Sequence, residues 1–210
     1  MGKKLCVSVF GLLIITAMLC GCAAQKEAVP IVAKTIAKQT RQSLERMLPV
    51  YVSILQAMRA TGKAYSFEDA GFVWNVLYQL TGRYGAGFAL VEEDGDHRLR
   101  VPRKMMQELA TETFGAYTDT DLPDLVKDVP IRYDYDWDAY LMEKIDTENG
   151  SARITSIQKD GEDRYTVIVQ WTGNEQESAV YRFTVGENPY RDAINDPQFP
   201  LSVFASEKVA

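Results

Sequence analysis

The sequence predicts an α+β domain in which N-terminal helices pack on a C-terminal antiparallel sheet. Three observations predict it. Apolar residues in the first half recur at steps of three and four, the spacing of a helix face. The second half breaks into short segments rich in β-branched and aromatic residues, joined by short turns, which favours antiparallel pairing. Hydrophobic residues make up 46% of the chain and charged residues 25%, so it can build a core.

The first 30 residues stand apart. Met1-Gly-Lys-Lys4 is a short positive start, and residues 5–19 form an apolar run without a charge. That run is short for a spanning helix, which needs about 20 apolar residues, and fits the apolar region of an export signal. Leu19-Cys20-Gly21-Cys22 follows, with an aliphatic residue three places before Cys22 and a small one just before it. Positive start, apolar run and this box resemble the signal peptide and lipobox of bacterial lipoproteins. The resemblance implies cleavage before Cys22, lipid on the Cys22 thiol, and anchoring to membrane lipid by two or three acyl chains outside the cytoplasm. Ala23 in place of aspartate resembles an outer-membrane address, facing the periplasm where the cell has that membrane. Residues 1–21 are then the signal peptide, 22–30 a lipidated tether ending at Pro30, and 31–210 a single domain.

Cysteine and charge narrow the chemistry. Cys6, Cys20 and Cys22 are the only cysteines. Cleavage leaves Cys22 alone, its sulfur carrying lipid, so neither a disulfide nor a cysteine-bound metal is expected in the mature chain. The formal charge is −6 and becomes two units more negative when Lys3 and Lys4 are removed. An acidic chain repels nucleic acid, which is not an expected partner.

Each element of the domain follows from local pattern. Leu44, Leu48, Tyr51, Leu55 and Met58 share a helical face that Pro49 interrupts, so two helices or a kink are expected near Met47. Gly62 ends the stretch. Ser66-Phe-Glu-Asp69 reads as a capping box with Asp for Glu, opening a helix whose stripe is Ala70, Val73, Trp74, Leu77 and Leu80. Gly82, Gly85 and Gly87 should stop it. Residues 88–91 and 98–101 flank the acidic stretch 92–96 as a hairpin. Pro102 suits the first position of a helix running to about Phe114, with Met106, Leu109, Ala110 and Phe114 inward. Residues 117–130 are a loop. Strands are expected at residues 131–135, 152–158, 165–172, 179–185 and 201–205. The order of elements is similar to the nuclear-transport-factor-two-like cone superfamily, on the stripe of residues 70–80, the segment 133–140 and the strands 165–171 and 180–185. That resemblance implies a pocket between helices and sheet and does not decide function.

Chemistry-bearing motifs are few. The sequence lacks a Gly-x-Ser-x-Gly elbow, a phosphate loop ending in Gly-Lys-Ser/Thr and a His-Glu-x-x-His pair, so no cofactor is expected. His97 is the only histidine and sits on the acidic hairpin, the setting of an exposed turn residue. Asp134, Asp136 and Asp138 alternate with Tyr133, Tyr135 and Trp137. On a strand the three carboxylates would share one face and form a weak Ca²⁺ candidate. Ala139 and Ile145 stand where a calcium loop needs Gly and Glu, so solvated acids with inward aromatics are the plainer expectation. Trp74, Trp137 and Trp171 are expected in the core. Tyr190 and Phe199, in the loop before the last strand, are expected to cover one end of the sheet.

These readings favour a non-catalytic envelope lipoprotein that binds a protein or polymer partner or serves as a structural element. A small-molecule-binding cone is the alternative, which a deep apolar cavity would favour. An enzyme working through carboxylates or tyrosine hydroxyls would need two acids facing each other in a cleft.

Overall fold

A computed structural model describes residues 36–93, 98–115, 122–145, 150–173, 177–188, 194 and 197–210. All of them lie in one unit spanning Lys34–Ala210. Cys6, Cys20, Cys22, the tether and His97 lie outside the described residues, as do Tyr190 and Asp196. Among the described residues no helix is long and apolar enough to cross a membrane.

The described chain is α+β, with four helices and two four-stranded antiparallel sheets. Helices α1 (Lys38–Arg46) and α2 (Leu48–Thr61) meet at Met47, and Pro49 sits in the first turn of α2. There its missing N–H costs nothing, because first-turn donors have no partner in the helix. Gly62 caps α2 with φ +67°, a left-handed conformation that glycine adopts without strain. Helix α3 (Ala70–Tyr84) is capped by Asp69, whose side chain accepts from the Phe72 N–H at 2.9 Å. The capping residue is therefore Asp69, while Ser66 Oγ holds the approach by accepting from the Asp69 N–H at 3.2 Å.

Gly82 does not end α3 but lies within it. Its carbonyl accepts from the Ile145 N–H at 2.9 Å, and a Cβ there would meet the Ile145 side chain at 2.8 Å. A short 3-10 turn at Gly85–Gly87 follows. Residues 88–91 are turn rather than strand, and the hairpin arm is only β1 (Glu92–Glu93) against β2 (Arg98–Pro102). Phe88 instead makes an edge-on contact with Phe199 at 6.2 Å. Pro102 closes β2 and is the N-cap residue of α4 (Arg103–Thr113), which buries Met106, Leu109 and Ala110, with Phe114 buried just beyond it.

The expected single sheet is two. The first has the order β1-β2-β4-β3, with β3 at Ile131–Asp134 and β4 at Ala139–Glu143. Strand β2, before α4, pairs with β4, after it, placing Val101 opposite Tyr140 and Leu99 opposite Met142. The second runs in chain order through β5 (Ser151–Lys159), β6 (Arg164–Thr172), β7 (Ser178–Gly186) and β8 (Ser202–Lys208). Its inward face alternates as a strand must: Val167, Val169 and Trp171 stand opposite Phe183, Tyr181 and Ala179, and all six are buried. Tyr51 of α2 lies on Phe183 with ring centres 4.8 Å apart.

Both sheets and all four helices contribute to one hydrophobic core. Helix α4 touches α3, β2, β4 and β8. Just past its end Phe114 bridges to Val203, and the Gly115 N–H donates to the Val203 carbonyl at 2.8 Å. Buried Glu112 fixes the approach to β8: its carboxylate accepts from the Phe199 N–H at 3.0 Å and its carbonyl from Ser202 Oγ at 2.5 Å. Phe199 is buried there, as expected for a residue covering that end of the sheet.

Candidate functional site

The β3–β4 hairpin places most of the aromatic and acidic residues singled out in the sequence. Strand β3 stops at Asp134, and residues 135–138 are turn. Asp134 starts it: its Oδ1 accepts from the Asp136 N–H at 3.0 Å, closing a side-chain turn in place of a ladder bond. Asp138 completes it with φ +47°, a conformation that aspartate tolerates better than most residues. Its carbonyl accepts from the Arg103 N–H at 2.9 Å, which ties the turn to the start of α4.

This geometry overturns the three-carboxylate strand face. Asp134 and Asp136 are bound to each other through the turn, while Asp138 accepts from the Tyr133 hydroxyl, so the three do not converge. Among the described residues no group of three His, Cys, Asp or Glu side chains is placed to hold a metal ion. The aromatics also depart from expectation. Trp137 is 63% exposed and Tyr135 88%, whereas Trp74 and Trp171 are buried. A tight four-residue turn cannot carry its side chains into a core, so Trp137 stacks instead near the Arg100 guanidinium, 4.6 Å from the ring centre.

Beside the hairpin lies a cleft of about 400 Å³ lined by Tyr133, Tyr135, Tyr140, Arg103 and residues 122–125. Its floor is built from the core outward. Buried Trp74 donates its indole N–H to the carbonyls of Pro123 and Asp124, at 2.9 and 3.1 Å, and so fixes the loop wall. Tyr140 packs on Trp74 at 5.0 Å and on Tyr133 at 5.1 Å, and Tyr133 meets Tyr135 edge-on at 4.8 Å. The three tyrosine rings thus step from the core to solvent. The Asp138 carboxylate beside it raises the pKa of the Tyr133 hydroxyl, and Arg103 acts in the opposite direction. Burial raises that of Tyr140. Neither phenol is thereby prepared as a base near neutral pH.

A larger groove of about 580 Å³ lies at the end of α2, bordered by Arg59, Lys63, Glu177, Tyr181, Glu207 and Lys208. Most of its charges already have partners: Arg59 with Glu177 at 2.8 Å, Lys63 with Asp69 at 2.6 Å, and Glu207 with Arg182 at 2.6 Å. A ligand there would have to break ion pairs, whereas the tyrosine cleft presents exposed ring surface that nothing described covers. The tyrosine cleft is therefore the stronger candidate despite its size.

Sequence reasoning picked out Tyr133, Tyr135 and the three aspartates, but missed Arg103, Tyr140 and the loop wall. The available signal was the turn chemistry of the aspartates, which read as turn rather than strand would have exposed β4 behind it. Compared with protein-family models, curated proteins and solved structures, the chain matches none.

Proposed function

We propose that the chain is a membrane-anchored lipoprotein of the cell envelope, held by acylated Cys22, whose domain is a non-catalytic binding module. The observation that carries the binding role is the exposed aromatic surface at the β3–β4 turn, continuous with a cleft whose floor is fixed by the core. Single exposed hydrophobic residues are ordinary, but Tyr135 and Trp137, 88% and 63% exposed, stand on the same turn, and grouped exposed aromatics are enriched at contact sites. The lipid anchor rests on the signal sequence and Cys22. The cone-superfamily resemblance implies a ligand pocket, which is the small-molecule alternative; the cleft has the volume of a ligand site, about 400 Å³, but is edged by Arg103 and Asp124 and is not the deep apolar cavity that reading calls for.

Intact mass of membrane-extracted protein, wild type against Cys22→Ala, tests the anchor. The wild-type mass should equal residues 22–210 plus two or three acyl chains, and the variant should be unlipidated. A wild-type chain that retains Met1 and carries no lipid overturns the reading.

A further inference from the structure

We infer that the outer face of α1, with Lys38, Arg41 and Arg46, rests on anionic phospholipid headgroups and sets the orientation of the domain on the bilayer; this rests on the lipid-anchor reading above. Charge, exposure and connectivity each point to that occupant.

Charge is divided along the chain. Residues 28–67 hold six Lys or Arg and one acid, whereas residues 68–210 hold fourteen Lys or Arg and twenty-seven acids. The domain is therefore basic where it begins and acidic beyond. Helix α1 turns its cations outward. At 3.6 residues per turn, Lys38, Arg41 and Arg46 fall within about 140° of its circumference, on the side away from buried Leu44 and Met47. Arg41 pairs with Glu45 at 3.2 Å, both more than half exposed, while Lys38 and Arg46 have no ion-pair partner among the described residues. Glu45 is the only acid of α1, so the face stays net positive, and α2 behind it contains no acid. Connectivity supplies the partner. Helix α1 starts sixteen positions after Cys22, and no other described element is joined to the anchor by so short a chain.

An anionic bilayer attracts a basic segment beside a lipid anchor, over about one Debye length, ~10 Å at 0.1 M salt. The same surface repels the acidic remainder of the domain. Both forces favour one orientation about the tether, with α1 toward the lipid. The acyl chains already secure attachment, so the cations contribute orientation more than affinity. An acidic protein would also be drawn to this face, but no covalent link holds one beside it.

The test uses the mature lipidated chain in vesicles of phosphatidylcholine alone or with about 30% phosphatidylglycerol. Cys6 and Cys20 leave with the signal peptide and the Cys22 sulfur carries lipid, so Gln42→Cys, exposed on α1, supplies a single free thiol for a fluorophore. A nitroxide on the lipid headgroup quenches dye held near the surface. Quenching at position 42 should be about twofold or more stronger with phosphatidylglycerol, and about 0.5 M NaCl should remove the difference. Arg41→Glu with Arg46→Glu should remove it too, at an unchanged melting temperature, because both side chains are exposed. Dye on Tyr135→Cys, in the acidic β3–β4 turn, should be quenched less than dye at position 42. Equal quenching at position 42 in both vesicles overturns the inference alone, as does a double-glutamate variant quenched like its parent. Stronger quenching at position 135 than at 42 overturns it as well and makes the aromatic turn the membrane-facing surface. A chain that floats with neither kind of vesicle overturns the anchor reading, and this inference with it.

Discussion

Arg59 grips Glu177 through two hydrogen bonds of 2.9 and 2.8 Å while its guanidinium lies 3.9 Å from the centre of the Trp171 ring. The contact joins the end of α2 to the start of β7, across 118 positions of sequence. A lone exposed ion pair contributes little, but here the planar group also covers a core indole. Arg59→Ala should lower the melting temperature by about 2–4 °C. Arg59→Lys should recover less than half of that, since lysine supplies charge without the fork or the flat face. An unchanged melting temperature in Arg59→Ala would mean that the stacking contributes nothing.

Tyr51 presents the opposite situation. Its ring is fully buried against Phe183, yet its hydroxyl has no hydrogen-bond partner among the described residues. Burial raises its pKa far above the ordinary phenol value. A buried hydroxyl without a partner costs about 1–3 kcal/mol. Tyr51→Phe keeps the ring and removes that cost, so it should be neutral or stabilising in urea denaturation. A loss above about 1 kcal/mol would reveal a partner, such as a bound water.

Two carboxylates should contribute to the loss of stability in acid. The hydrogen bond from Lys63, with the Phe72 N–H behind it, holds the Asp69 carboxyl below its ordinary value, and the Arg59 hydrogen bond does the same for Glu177. A carboxyl whose pKa is lower folded than unfolded adds stability that is complete above the unfolded value, near pH 4. That stability is lost as pH falls through the folded-state pKa. Melting temperature should therefore be flat from pH 7 to 5 with respect to these groups and decline below about pH 4. Asp69→Asn with Glu177→Gln should melt lower at pH 6 and lose less on acidification. A profile parallel to wild type would show that other groups govern the acid transition.

Legibility in the sequence divided along the range of the interactions. Local devices could be read: the break at Met47 and Pro49, the left-handed cap at Gly62, the α3 stripe and the alternation of β6 and β7. What escaped depended on distant partners. Strand β4, Ala-Tyr-Leu-Met-Glu, is composed largely of good helix formers and becomes a strand because β2 and β3 pair with it from both sides. With β4 unseen, the aspartates between Tyr133 and Ala139 looked like a strand face rather than a turn, and the second sheet was missed. The tyrosine cleft was hidden for the same reason. Tyr133 and Tyr135 were visible as a cluster, but Arg103 and the wall at residues 122–125 reach them only through the β2–β4 pairing and the Trp74 anchor.

Gly82 shows the same competition at a single position. Inside a helix, glycine is destabilising by about 1 kcal/mol relative to alanine, so propensity alone predicts that Gly82→Ala stabilises. Packing predicts the reverse. An added Cβ would sit 2.8 Å from two carbons of Ile145 and 3.3 Å from the Glu143 carbonyl oxygen. The chain leaving β4 cannot retreat freely, because the Ile145 N–H is bonded to the Gly82 carbonyl. Overpacking of this kind costs about 1–3 kcal/mol, which outweighs the propensity gain. Gly82→Ala should thus destabilise, and Ile145→Ala, which clears the space, should make the same change neutral or favourable. A double-mutant cycle in urea measures the coupling between the two positions. Additive effects would show that Ile145 moves aside at no cost, and that glycine at position 82 is there for some reason other than the approach of β4.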